Sequence, residues 1–112
     1  MISFSIVPIS SFDKDLKKLA KKYPSLKQDY ANLLNEIEID HKLGTPIGKN
    51  CYKIRMSISS KAKGKSGGAR VITPLIIKVE DEILYLLKIY DKAEQENITE
   101  AELKYLLQSI SI

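Results

Sequence analysis

The sequence predicts an α+β domain: a small, mainly antiparallel sheet of about four strands, with an N-terminal helical hairpin and a short C-terminal helix. Three observations carry this. The 112 residues, 44% hydrophobic and 29% charged, suit one modest core, so residues 1–112 form a single domain. The first third of the chain carries apolar residues at helical spacing. From Cys51 onward the period changes to two, the signature of strands.

The elements follow in the order β-α-α-β-β-β-α. Residues 2–8, ISFSIVP, read as a short strand stopped by Pro8. Ser10 or Ser11 offers a helix cap, and Phe12, Leu16 and Leu19 recur on one helical face up to about Tyr23. Pro24 interrupts and Ser25 can cap again. Leu26, Tyr30, Leu33, Leu34 and Ile37 then form a second apolar stripe, ending near Gly44. The Lys-rich outer surface of this hairpin reads as a solvated one. In Cys51–Ile58, Tyr52, Ile54, Met56 and Ile58 alternate with Lys53, Arg55 and Ser57. Residues 70–79 make the next strand, with Pro74 implying a bulge or an edge. Glu80-Asp81-Glu82 reads as a hairpin tip, and the nearly continuous apolar run 83–90, ILYLLKIY, as a central strand. Thr99-Glu100-Ala101-Glu102 matches a capping box, opening a helix with Leu103, Leu106, Leu107 and Ile110 inward. Helices on one face of the sheet would leave the other to Lys53 and Arg55.

Charge narrows the function. Between Asp40 and Glu80 there is no acid, but nine of the eighteen basic residues; the rest of the chain, with nine bases and all fourteen acids, carries −5. A long acid-free basic block is the electrostatic footprint of a phosphate-backbone partner. The single cysteine, Cys51, makes no internal disulfide, and without a signal peptide the expected compartment is the cytoplasm. No apolar run reaches membrane-span length. The sequon-like Asn97-Ile98-Thr99 is then a coincidence.

Several chemistries drop out. The stretch "SKAKGKSGGARVI", residues 59–71, is not a Walker A loop: the position five before Gly64 is Ser59, and the loop leads into a strand. His41 and Cys51 have no metal-ligand spacing around them, so no metal or other cofactor is expected. His41 sits near a helix end, and Cys51 reads as a small buried hydrophobe. What remains is cationic. Lys53 and Arg55 share a strand face, Arg70 begins the next strand after Gly67-Gly68, and Lys88, Tyr90 and Lys92 close the last. Such a face suits phosphodiester chemistry on RNA: a lysine crowded by cations can act as a base, and arginine can hold a phosphate bidentately.

At these residues the sequence resembles a known family. "CYKIRM", "KGKSGGARVI" and "LYLLKIYDKAEQENI" together resemble the toxins of type II toxin–antitoxin modules, in the RelE/ParE superfamily and its RelE/HigB-like branch. The resemblance spans nearly the whole chain and implies a RelE-like, microbial-ribonuclease-like fold. It implies an mRNA interferase: an endoribonuclease that enters the ribosomal A site and cuts bound mRNA without metal, by attack of a 2′-OH on the neighbouring phosphate. By position it makes Lys53 the candidate base, with Arg55 beside it. Arg70 would hold the scissile phosphate and Lys92 would aid the leaving group. Where RelE-like enzymes carry a nucleotide-orienting tyrosine this chain has Ile98, and Tyr90 is the substitute. Lys49, Lys61, Lys63, Lys65 and Lys88 would grip RNA or ribosome phosphates. The implied partners are the ribosome with its mRNA and an acidic, partly disordered antitoxin, with operator DNA reached only through the antitoxin. The alternatives are a ParE-like inhibitor of DNA gyrase and a non-catalytic RNA- or ribosome-binding module.

Overall fold

A computed structural model describes residues 5–39, 44–61, 67–74, 83–95 and 97–110. His41, Lys63, Lys65 and the expected hairpin tip at Glu80-Asp81-Glu82 lie outside the described residues. The elements are β1 (Ser5–Pro8), α1 (Ser10–Lys22), α2 (Leu26–Ile39), β2 (Thr45–Gly48), β3 (Cys51–Met56), a 3-10 turn (Ser59–Lys61), β4 (Ala69–Pro74), β5 (Ile83–Leu86), β6 (Lys88–Asp91) and α3 (Glu100–Leu107). No described helix is long and apolar enough to cross a membrane.

The predicted class holds: β2, β3, β4 and β6 form an antiparallel ladder in that order, and β1 pairs parallel with β5. Four details differ from expectation, three of them local. Strand β2 was not anticipated. It turns into β3 through Lys49 and Asn50, both left-handed (φ 53° and 57°), the backbone a tight hairpin needs. The run 83–90 is one path serving two partners. Its first half pairs with β1 and its second with β4, with the Leu87 amide bonded to the Ile72 carbonyl between them. Helix α1 is not capped by a serine. Ile9 is the last extended residue; its amide bonds to Leu86 and its carbonyl accepts from Asp13, so Ser10 is already helical.

The helices do not share one face. Phe12 and Leu19 of α1 and Leu26, Leu33 and Ile37 of α2 pack with Ile54, Met56, Val71 and Ile89 in the larger core cluster. Leu103 and Leu106 of α3 instead join Cys51, Ile72, Leu87 and Tyr90. In β4 the neighbours Val71 and Ile72 therefore point to opposite sides, as strand alternation requires. The sheet is sandwiched, and α3 lies on the side expected to be open. Its cap is the predicted one: the Thr99 hydroxyl accepts from the Glu102 amide at 3.1 Å. Gly68 lets β3 and β4 close at their loop end, since a Cβ there would lie 2.0 Å from the Met56 carbonyl oxygen.

Candidate active site

Strand register assembles the site. Arg55 lies opposite Arg70, and Arg70 opposite Tyr90, so the three side chains form a row across β3, β4 and β6 on the α3 side of the sheet. Lys53, opposite Ile72, stands one step along the same face. The residues the alternation pattern nominated on β3 and β4 are thus brought together.

Their environments differ. Arg55 is exposed, and Lys53 is half-buried, its ammonium donating to Asn97 Oδ1 at 3.3 Å. Arg70 is only 3% exposed. Its guanidinium donates to the adjacent Ala69 carbonyl at 3.1 Å. Burial, and then the like charge of Arg55, lower the Arg70 pKa, with Tyr90 partly opposing. Like charges placed opposite one another in a sheet are destabilising. Two guanidiniums held opposite one another, one of them desolvated, concentrate positive charge at this point of the face. Tyr90 is 5% exposed, and its buried hydroxyl has no hydrogen-bond partner among the described residues. Burial raises its pKa; Arg70 pulls it down and Glu102 pushes it up.

Beside Lys53 is a depression of about 450 Å³ between the β2–β3 turn and the start of α3, lined by Lys49, Asn97, Ile98 and Thr99 among others. Ile98, at the position discussed above, is part of its wall. Asn97, which sequence reasoning had seen only as part of a sequon-like triplet, is the side-chain partner of Lys53; nothing local in the sequence signals that contact across 44 residues. Lys92 follows β6 and is anchored by its backbone amide to the Gly68 carbonyl at 3.1 Å, two residues from Arg70.

Other expected phosphate-binding lysines are engaged elsewhere. Lys61 is not on this face. Its ammonium, with the side chain 11% exposed, lies 2.8 Å from Asp91 on the α1–α2 side. Lys88 is drawn to Asp15 of α1 at 3.1 Å, and Lys49 pairs with Glu100 at 3.6 Å at the rim of the depression. The Cys51 thiol is buried and, by that burial, pushed up to about 11, which suits a packed side chain and not a nucleophile.

No protein-family model matches the sequence, and no curated protein does. Solved structures do. An arginine-to-alanine double mutant of the E. coli toxin RelE in the free state is similar over 98% of this chain and 100% of its own, with a TM-score of 0.61 at 14% identity. The isolated E. coli RelE toxin matches over 96% and 100%, with a TM-score of 0.59 at 14% identity. The chain has the RelE-like toxin fold, and the Arg55–Arg70–Tyr90 row is set into that frame.

Proposed function

We propose that this chain is the toxin of a type II toxin–antitoxin module and acts as a ribosome-dependent mRNA endonuclease. The observation that carries the reading is the buried Arg70 held opposite a second arginine, with Lys53 beside them, on a RelE-like fold. In this reading the Lys53 amine takes the proton from a ribose 2′-OH. That oxygen attacks the neighbouring phosphorus, and the added negative charge falls on Arg70 and Arg55. Lys92 gives a proton to the departing 5′ oxygen. The products are a cyclic phosphate and a 5′-OH end, with no metal involved. Tyr90 supplies a hydroxyl already stripped of competing partners. An acidic antitoxin segment would cover the same face in the cytoplasm and neutralise it.

The test is a cell-free translation reaction with new mRNA 5′ ends mapped by primer extension. Wild-type protein should cut translated mRNA and leave ribosome-free mRNA intact. Lys53→Ala and Arg55→Ala, at positions that are not fully buried, should each lower the cleavage rate by roughly 100-fold or more with thermal stability unchanged. Intact mRNA with wild-type protein would sink the reading, and inhibition of gyrase supercoiling by that same protein would replace it with the ParE-like alternative.

A further inference from the structure

Helix α1 carries a second cationic surface that the Arg70 row does not use. Lys14, Lys17, Lys18 and Lys21 are all exposed. At 3.6 residues per turn they fall within an arc of about 100°, with Phe12, Leu16 and Leu19 on the opposite side. Asp13 and Asp15 stand at the two margins of the arc, and Asp15 is taken by Lys88. Among the described residues none of the four lysines makes an ion pair, whereas Lys22, outside the arc, pairs with Glu94 at 3.0 Å.

An ordinary solvated helix face mixes signs. That of α2 does, with Lys27, Asn32, Glu36 and Glu38 exposed together. Within the α1 arc, by contrast, the four lysines meet one another at i, i+3 and i, i+4 in four like-charge pairs, each of which costs helix stability. The occupant follows from what the arc lacks. Its apolar stripe is already in the core, so nothing is left to enter a lipid surface. It holds no aromatic or aliphatic anchor, and lysine is depleted in protein interfaces. A lysine-only strip about 10 Å long by helix rise fits a phosphate backbone, spanning roughly three phosphates of one duplex strand.

We infer that the Lys14–Lys17–Lys18–Lys21 ridge of α1 is a second RNA-binding surface that grips the phosphate backbone of a structured, double-helical RNA. It lies across the sheet from the Arg70 row, because α1 packs on the Val71 and Ile89 side and Arg70 and Tyr90 face the other way. The chain would then sit between two RNA segments, one cut and one held. This rests on the proposed function for its biological setting but not for its test.

The test is binding to a short A-form RNA duplex, titrated across a range of salt. Lys14→Gln/Lys21→Gln removes two charges from the ridge; Lys104→Glu removes the same charge from the exposed face of α3. The ridge pair should weaken binding about tenfold more than the α3 change and flatten the log K against log salt slope by roughly 0.9 per lost contact. Circular dichroism should be unaltered and the melting temperature unchanged or slightly raised, since both positions are exposed and the double change removes the like-charge pairs of the arc. Equal losses for the two variants would overturn the proposal and leave the ridge merely solvated. So would unchanged RNA binding accompanied by lost affinity for an acidic protein partner. Duplex binding through the ridge without mRNA cleavage would refute the nuclease reading alone. Cleavage with equal losses would refute the ridge alone.

Discussion

Tyr90 and Asp91 are neighbours on β6 and face opposite sides of the sheet, and the two sides treat polar groups in opposite ways. Asp91 is 1% exposed and fully served: the Tyr23 hydroxyl, the Lys61 ammonium and the Ala93 amide all donate to its carboxylate. Tyr90 is also buried, and its hydroxyl has no partner among the described residues, while its cross-strand neighbour Arg70 lies opposite a like charge. The first arrangement is what stability selects, since a buried charge survives only when paired. The second runs against it. A fold that satisfies one residue and strands the next has placed its unresolved polarity where a ligand can resolve it.

The largest effect should come from breaking the satisfied side. Asp91→Ala leaves the largely buried Lys61 without its carboxylate and takes the acceptor from the Tyr23 hydroxyl, which unties the end of α1 from the 3-10 turn; Lys22 keeps Glu94. A loss of about 3–5 kcal/mol in denaturant unfolding is expected. Acid titration sharpens this. Burial works to raise the Asp91 pKa, but the hydrogen bonds from Lys61, Tyr23 and Ala93 outweigh it, and the carboxyl titrates below its ordinary value. Asp29 does the same, with burial overcome by donation from Ser59 and Ser25. A lowered folded-state pKa means stability that is fully present above the ordinary carboxylate range and is lost as pH falls through the lowered value. The urea midpoint of the wild type should therefore drop as pH falls through and below the ordinary carboxylate range. For Asp91→Asn it should start lower and drop less; parallel curves would show that Asp91 is not the titrating support.

Breaking the unsatisfied side should look quite different. Arg70→Met replaces a desolvated charge opposite Arg55 with an apolar chain of similar length. Stability should change by no more than about 1 kcal/mol, because relief from the like charge of Arg55 opposite it offsets the contacts the guanidinium gives up. Cleavage of translated mRNA should fall by roughly 100-fold or more at the same time. A large loss of stability with activity retained would reverse the assignment, making Arg70 structural.

Much of this frame was legible in the residues, and the illegible parts have physical causes. Alternation along Tyr52, Ile54, Met56 and Ile58 fixed which side of β3 carries Lys53 and Arg55, and pairing across the basic loop then put Arg70 alongside. The apolar stripe of α3 said that the helix is buried but not against which side of the sheet, since a stripe names no partner. Strand β2 was hidden by Pro46 and Gly48, residues that strands usually exclude. The run ILYLLKIY carries no glycine or proline to mark where its partner changes from β1 to β4. Lys61 read like its basic neighbours because its partner Asp91 is 30 residues away. The depth of Arg70 and the solitude of the Tyr90 hydroxyl are tertiary facts with no local signature.

The smallest change asks the most of the comparison. Tyr90→Phe removes one oxygen that has no partner and is shielded from water. A stranded hydroxyl costs its desolvation, so deleting it should stabilise the fold by up to about 1 kcal/mol. The gain is expected only because the hydroxyl is unbonded: the same substitution at Tyr23, whose hydroxyl donates to Asp91, should destabilise by about 1 to 3 kcal/mol. Opposite signs for one chemical change, read by thermal melts of two variants, would show that the two sides of the sheet differ in satisfaction and not merely in depth. If Tyr90→Phe also slows mRNA cleavage while raising the melting temperature, the hydroxyl is held unpaired for the substrate. If it raises the melting temperature and leaves cleavage untouched, the row of working side chains ends at Arg70.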